Sequence, residues 1–216
     1  MDRRLLVLLV AAVALIGVVN ATVFAYRWMT GTVNIAGPDE ARGAACTGFY
    51  SSAAQGGIDL PSVGTNYDAK TYGSYKISVS TGQAVCQWTV DSRTYNLYES
   101  ITVNIPVTVG SWYIKDFYGF GYHGVDTDPE NVYVWFRLEQ RASGDGSISD
   151  AYLIINSTGG EIGRLDLLSS SGTTIGPFQL SRGSAWSLDL RFNATSTGSV
   201  SFTVGVYVSY QSSESP

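Results

Sequence analysis

Charge is the first thing this sequence is short of. Asp, Glu, Lys and Arg make up 14% of its 216 residues, against about 25% in an average soluble domain. No run of Lys or Arg follows Arg3 and Arg4, and the formal net charge is −5. A nucleic-acid partner needs a basic stripe to neutralise phosphates, so that class is set aside. Histidine is scarcer still. His123 is the sole imidazole and no GxSxG elbow accompanies it, which leaves a Ser/His/Asp hydrolase without its parts. The expectation is a protein that is not an enzyme. Cysteine is limited to Cys46 and Cys86, with no CxxC spacing. Two thiolates without nearby His ligands fall short of a tetrahedral zinc site, and no cofactor is expected. A 3.6-residue apolar stripe of useful length is missing too, apart from a weak helical pattern over Pro38–Ala45.

The deficit is filled by 24 Gly, 14 Tyr and many Ser and Thr, while a 44% hydrophobic share is enough to bury a core. Strict alternation dominates. Ile101, Val103, Ile105, Val107 and Val109 occupy every second place; so do Trp186, Leu188, Leu190 and Phe192, and Phe202, Val204, Val206, Val208 and Tyr210. Period two means one buried and one wet sheet face. Further strands are expected over Tyr75–Val79, Ala84–Val90, Trp112–Tyr118, Val132–Leu138, Ala151–Ile155, Ile162–Leu167 and Ile175–Leu180. Turn clusters such as Thr158-Gly-Gly160 and Ser196-Thr-Gly198 separate them, leaving no room for crossover helices. Pro106 puts its strand at an edge or bulge. The fold expected is all-β: a single antiparallel β-sandwich of jelly-roll type over residues 37–216, with Ala36–Thr71 as a long irregular excursion.

The N-terminus has the layout of an export signal. Arg3 and Arg4 precede fifteen apolar residues, Leu5–Val19, and small residues at Ala21 and Ala25 offer cleavage sites. Residues 1–25 are therefore expected to be a signal peptide cut after Ala21 or Ala25, with the membrane met only during export. A retained anchor is the alternative, since the apolar stretch approaches spanning length when counted on to Tyr26. In an exported protein Cys46 and Cys86 read most simply as one disulfide, the alternative being two buried thiols. Asn156 and Asn193 head sequons and are glycosylation candidates. Asp126, Asp128 and Glu130 alternate as weak Ca²⁺ candidates, or form a solvated acidic turn. The aromatics from Trp112 to Tyr122 offer either a sugar-stacking platform or core, with His123 in the Gly-rich loop that ends them.

The junction Ala21-Thr-Val-Phe-Ala-Tyr26, followed by Arg27-Trp-Met-Thr-Gly-Thr-Val-Asn-Ile35, resembles the start of the TasA/camelysin family of biofilm-matrix proteins. The overall pattern resembles the archaeal bundling pilins, their jelly-roll relatives. The resemblance implies a structural subunit of an extracellular, cell-surface filament that polymerises head to tail with itself by donor-strand complementation. The donor strand would lie in residues 26–36, comprising Tyr26, Arg27, Trp28, Met29, Thr30, Gly31, Thr32, Val33, Asn34 and Ile35. Met29, Val33 and Ile35 share one face of that segment, and Ala36-Gly37-Pro38 makes a hinge. Three alternatives stay open: the strand pairs within its own domain; the chain is a secreted lectin-like carbohydrate-binding sandwich; or it is a type IV-like pilin that keeps its hydrophobic N-terminal helix.

Overall fold

The computed structural model describes residues 25–30, 46–50, 78–90, 93–105, 107–124 and 128–216. Thirteen strands lie among them: β1 (Ala25–Thr30), β2 (Cys46–Tyr50), β3 (Ser78–Thr81), β4 (Ala84–Val90), β5 (Arg93–Tyr98), β6 (Ile101–Asn104), β7 (Gly110–His123), β8 (Asn131–Gly144), β9 (Ser147–Ser157), β10 (Gly160–Asp166), β11 (Thr174–Ser181), β12 (Ser184–Ser196) and β13 (Val200–Ser209). No helix occurs among the described residues; the expected Pro38–Ala45 helix lies outside them, as do residues 1–24 of the expected 1–25 signal peptide, whose last residue, Ala25, begins β1. The chain is all-β.

The strands form two sheets. One runs β11-β8-β13-β1-β6-β3, the other β10-β9-β12-β7-β2-β5-β4. Pairing is antiparallel except where β1 meets β6, a parallel contact of Met29 with Ile101 and Thr30 with Thr102. Alternation decides which side chains face inward. Leu188 and Leu190 from β12, Val204 and Val206 from β13, Phe136 and Leu138 from β8, and Phe120 from β7 close a continuous apolar core between the sheets. Burying such side chains stabilises by about 1.5–3 kcal/mol each.

Two bends shape the sandwich. At Gly82–Gln83 and Glu99–Ser100 the hairpin of β3–β4 with β5–β6 turns from one sheet into the other, held by Gly82 N–H to Ser100 O (2.9 Å) and Glu99 N–H to Gln83 O (3.0 Å). A smaller second core, Tyr50, Trp88 and Leu97, then forms with Cys46, Cys86 and Ala185 packed against it. Gly119 makes room for it, since a Cβ there would stand 2.6 Å from the Tyr50 ring.

The observed strands extend several expectations and correct two. Cys46–Tyr50, expected within the irregular excursion, is a strand paired with β7. The Gly-rich stretch through His123 is the end of β7 and not a loop, with Phe117, Tyr118, Phe120 and Tyr122 buried. β6 stops at Asn104, two residues short of Pro106, which lies outside the described residues.

Candidate functional site: the slot of the first strand

β1 occupies the middle of its sheet. On one side it pairs antiparallel with β13, from Ala25 opposite Val208 to Thr30 opposite Thr203; on the other it meets β6. Met29 holds the register position of Val204 and Ile101, both fully buried inward residues. Of the ten expected donor-strand residues, Tyr26 to Thr30 therefore pair with β13 of the same chain, and Met29 and Thr30 lie in a slot between β13 and β6; Gly31 to Ile35 lie outside the described residues.

Past Thr30 the walls of the slot run on along Phe202, Ser201 and Val200 of β13 and along Val103 and Asn104 of β6 into Ile105. Among the described residues no strand lies between them. These residues line one end of a cavity of about 660 Å³ between the sheets, whose far wall is Phe117, Ile148, Leu190 and Phe192. The size falls within the roughly 300–1,000 Å³ of ordinary binding sites. Its walls are apolar and its rim is made of Ser143, Ser147, Ser199 and Asp145. The Asp145 carboxylate is already used, accepting from Ser199 N–H at 2.6 Å. A concavity of this kind receives apolar side chains; among the described residues its lining offers no His, Cys or Lys for bond-making chemistry.

A second polar construction lies on the outer face of the other sheet. Asp189 belongs to the alternation's wet face, yet it is fully buried. Its carboxylate accepts from Tyr113 Oη, from Asn156 Nδ2 (2.8 Å) and from the Asp116 N–H (2.6 Å). Asp116 has φ +50° at a bulge in β7, where the pairing with β12 shifts between Leu188 and Leu190. The bulge turns that N–H toward the carboxylate, an irregular backbone used to aim a group. Partial burial, and then the bond to Asp189, push the Tyr113 phenol up to about 12. All three donors satisfy one acid, so the cluster is a cross-strand brace.

The remaining expected residues are placed as follows. Cys46 and Cys86 form a disulfide with Cα atoms 5.9 Å apart, tying β2 to β4. A bond of this kind persists in oxidising compartments. Asn156 is the next-to-last residue of β9, and Asn193 lies inside β12, its Nδ2 donating to Ser149 Oγ at 2.7 Å. Asp126 lies outside the described residues. Asp128 and Glu130 are brought to Arg182, but through backbone carbonyls: Asp128 O accepts from Arg182 Nη1 and Glu130 O from Arg182 N. Among the described residues no group of three His, Cys, Asp or Glu is gathered as a metal site. The aromatic run is mostly core, with Tyr113 alone of its large side chains strongly exposed, at 54%. His123 stacks on Trp88 at 6.0 Å. Sequence reasoning missed Asp189, which alternates with Ser187 and Arg191 on the expected wet face and carries no local signal of burial.

No protein-family model and no curated protein matches the chain.

Proposed function

We propose that the chain is a structural subunit of an extracellular filament, and not an enzyme. Each copy inserts its segment Tyr26–Ile35 into the slot of the next, between β13 and β6. The jelly-roll description of the sandwich belongs with this reading. The observation that carries it is the central place of β1 in its sheet, with β13 and β6 running on past Thr30 along one end of an apolar cavity.

Chain length supports exchange between copies. β1 runs toward the cavity end of the sandwich, whereas the chain re-enters at Cys46, beside His123 at the opposite end of β7. From Thr30, sixteen steps of about 3.3–3.6 Å cover that return with slack. A segment continued along the slot to Ile35 would leave eleven steps for about 40 Å, the limit of a fully stretched chain. Residues 26–30 therefore fit the slot of their own chain comfortably, while the full segment fits a neighbour better. Val33 and Ile35, at the same parity as Met29, would then fill the cavity. Burying both contributes about 3–6 kcal/mol, enough to offset the millimolar effective concentration that favours a tethered strand. Head-to-tail insertion does not close on itself and yields a fibre.

The test uses Val33→Asp with Ile35→Asp in the full chain. Filaments should vanish from electron micrographs while thermal stability of the monomer stays within a few degrees, because residues 25–30 still complete the sheet. Filaments of ordinary length from this variant would sink the proposal.

A further inference from the structure

The four sheet edges are not treated alike. β10 carries the Glu161–Arg164 ion pair (2.8 Å) and a register shift at Glu161/Gly163. β11 is interrupted by Gly176-Pro177 with a shift between Ile175 and Phe178. β3 is four residues long. Charge, proline, irregularity and shortness are the devices by which native edges avoid pairing with other chains. β4 has none of them beyond a shift at Ala84/Cys86; its sequence Ala-Val-Cys-Gln-Trp-Thr-Val carries no charge. Its outer edge takes part in no ladder or loop hydrogen bond among the described residues.

We infer that β4 is a self-association edge, pairing antiparallel with β4 of a second copy. Val90 and Arg93 flank a two-residue connection, so they form a hydrogen-bonded pair, as do Trp88 with Tyr95 two places on. Gln87 and Thr89 then point their backbone N–H and C=O groups away from β5. A two-fold axis beside Trp88 sets Gln87 against Thr89 of the second copy and the reverse, giving about four new backbone hydrogen bonds. The side chains match as well. Gln87 already pairs with Asn96 (3.2 Å) and Thr89 with Thr94 (3.1 Å) on the exposed side. The second copy continues this amide–hydroxyl row across the axis without a like-charge contact, although the whole chains carry −5 each. A second copy is thus the occupant this uncharged, self-complementary edge fits. The contact is small and isologous. Repeated along a filament it adds up by multivalency, but it stands without the filament reading.

Sedimentation equilibrium on the full chain, with Val33→Asp and Ile35→Asp present to exclude head-to-tail growth, tests it. The chain should dimerise reversibly, and Gln87→Pro, which removes an outward N–H and the exposed side-chain bond to Asn96, should leave it folded and monomeric. Gln87→Lys with Thr89→Lys should weaken dimerisation about tenfold or more, whereas Gln87→Glu with Thr89→Lys should restore it in a salt-sensitive form. A wild-type edge that stays monomeric at hundreds of micromolar, or a dimer indifferent to all these changes, overturns the inference. Capture of an unrelated extended peptide by a monomeric chain would overturn it too, by naming a different occupant.

Discussion

Replacing Asp189 by Ala should be among the most damaging single changes outside the main core. The substitution removes one acceptor and strands three donors. Tyr113, 54% exposed, can turn its hydroxyl to water, so its loss is small. The Asn156 amide and the Asp116 N–H are partly buried, and an unsatisfied donor there costs about 1–3 kcal/mol. Relief of the carboxylate's own desolvation offsets part of this, leaving a net loss of about 3 kcal/mol. For a domain of this size, that lowers the melting temperature by about 6–12 °C. Asp189→Asn keeps one acceptor oxygen and should fall between the two. The assay is thermal or urea unfolding followed by circular dichroism, with the Tyr113 absorbance titrated in parallel. In Asp189→Ala the phenol should move down from about 12 toward the ordinary value near ~10. A loss under about 1 kcal/mol, with Tyr113 titrating unchanged, would refute the brace.

Gly48→Ala should cost about 1–3 kcal/mol by overpacking, because a Cβ there would stand 2.7 Å from the Tyr98 carbonyl oxygen, a backbone atom with nowhere to go; chemical denaturation measures it. Stability should be insensitive to alkali until about pH 10 and fall above it. Burial raises Tyr50, Tyr113, Tyr118 and Tyr122, the second and fourth to about 12. Between the unfolded and folded values the native state holds more protons than the unfolded one, so rising pH favours unfolding. A flat profile to pH 12 in a pH-dependent melting series would contradict the burial of these rings.

The alternation made most of the sandwich legible. Ala84–Val90 is a strand at both its expected ends, and the inward residues of β12 and β13 are those the period-two pattern assigns. What escaped depends on partners distant in sequence. Cys46–Tyr50 is short and sits in an Ala/Gly/Ser-rich context, so nothing local marks it as the neighbour of β7. Gly119 and Gly121 look like loop residues, yet they are strand positions kept bare beneath Tyr50 and Trp88. Asp189 has the parity of a wet residue; its burial comes from Tyr113 and Asn156, 76 and 33 positions away. The slot is illegible for the same reason. Its walls, β13 and β6, stand far from β1 in the chain, and only their register reveals that both run on past Thr30.

The most direct measurement is electron cryo-microscopy of filaments assembled from the full chain, at a resolution that traces Tyr26–Ile35. The account predicts that this segment lies between β13 and β6 of the neighbouring subunit, with Val33 and Ile35 inside the cavity walled by Phe117 and Phe192. Tracing the segment back into its own sheet in every subunit, with the cavity left open, would contradict it.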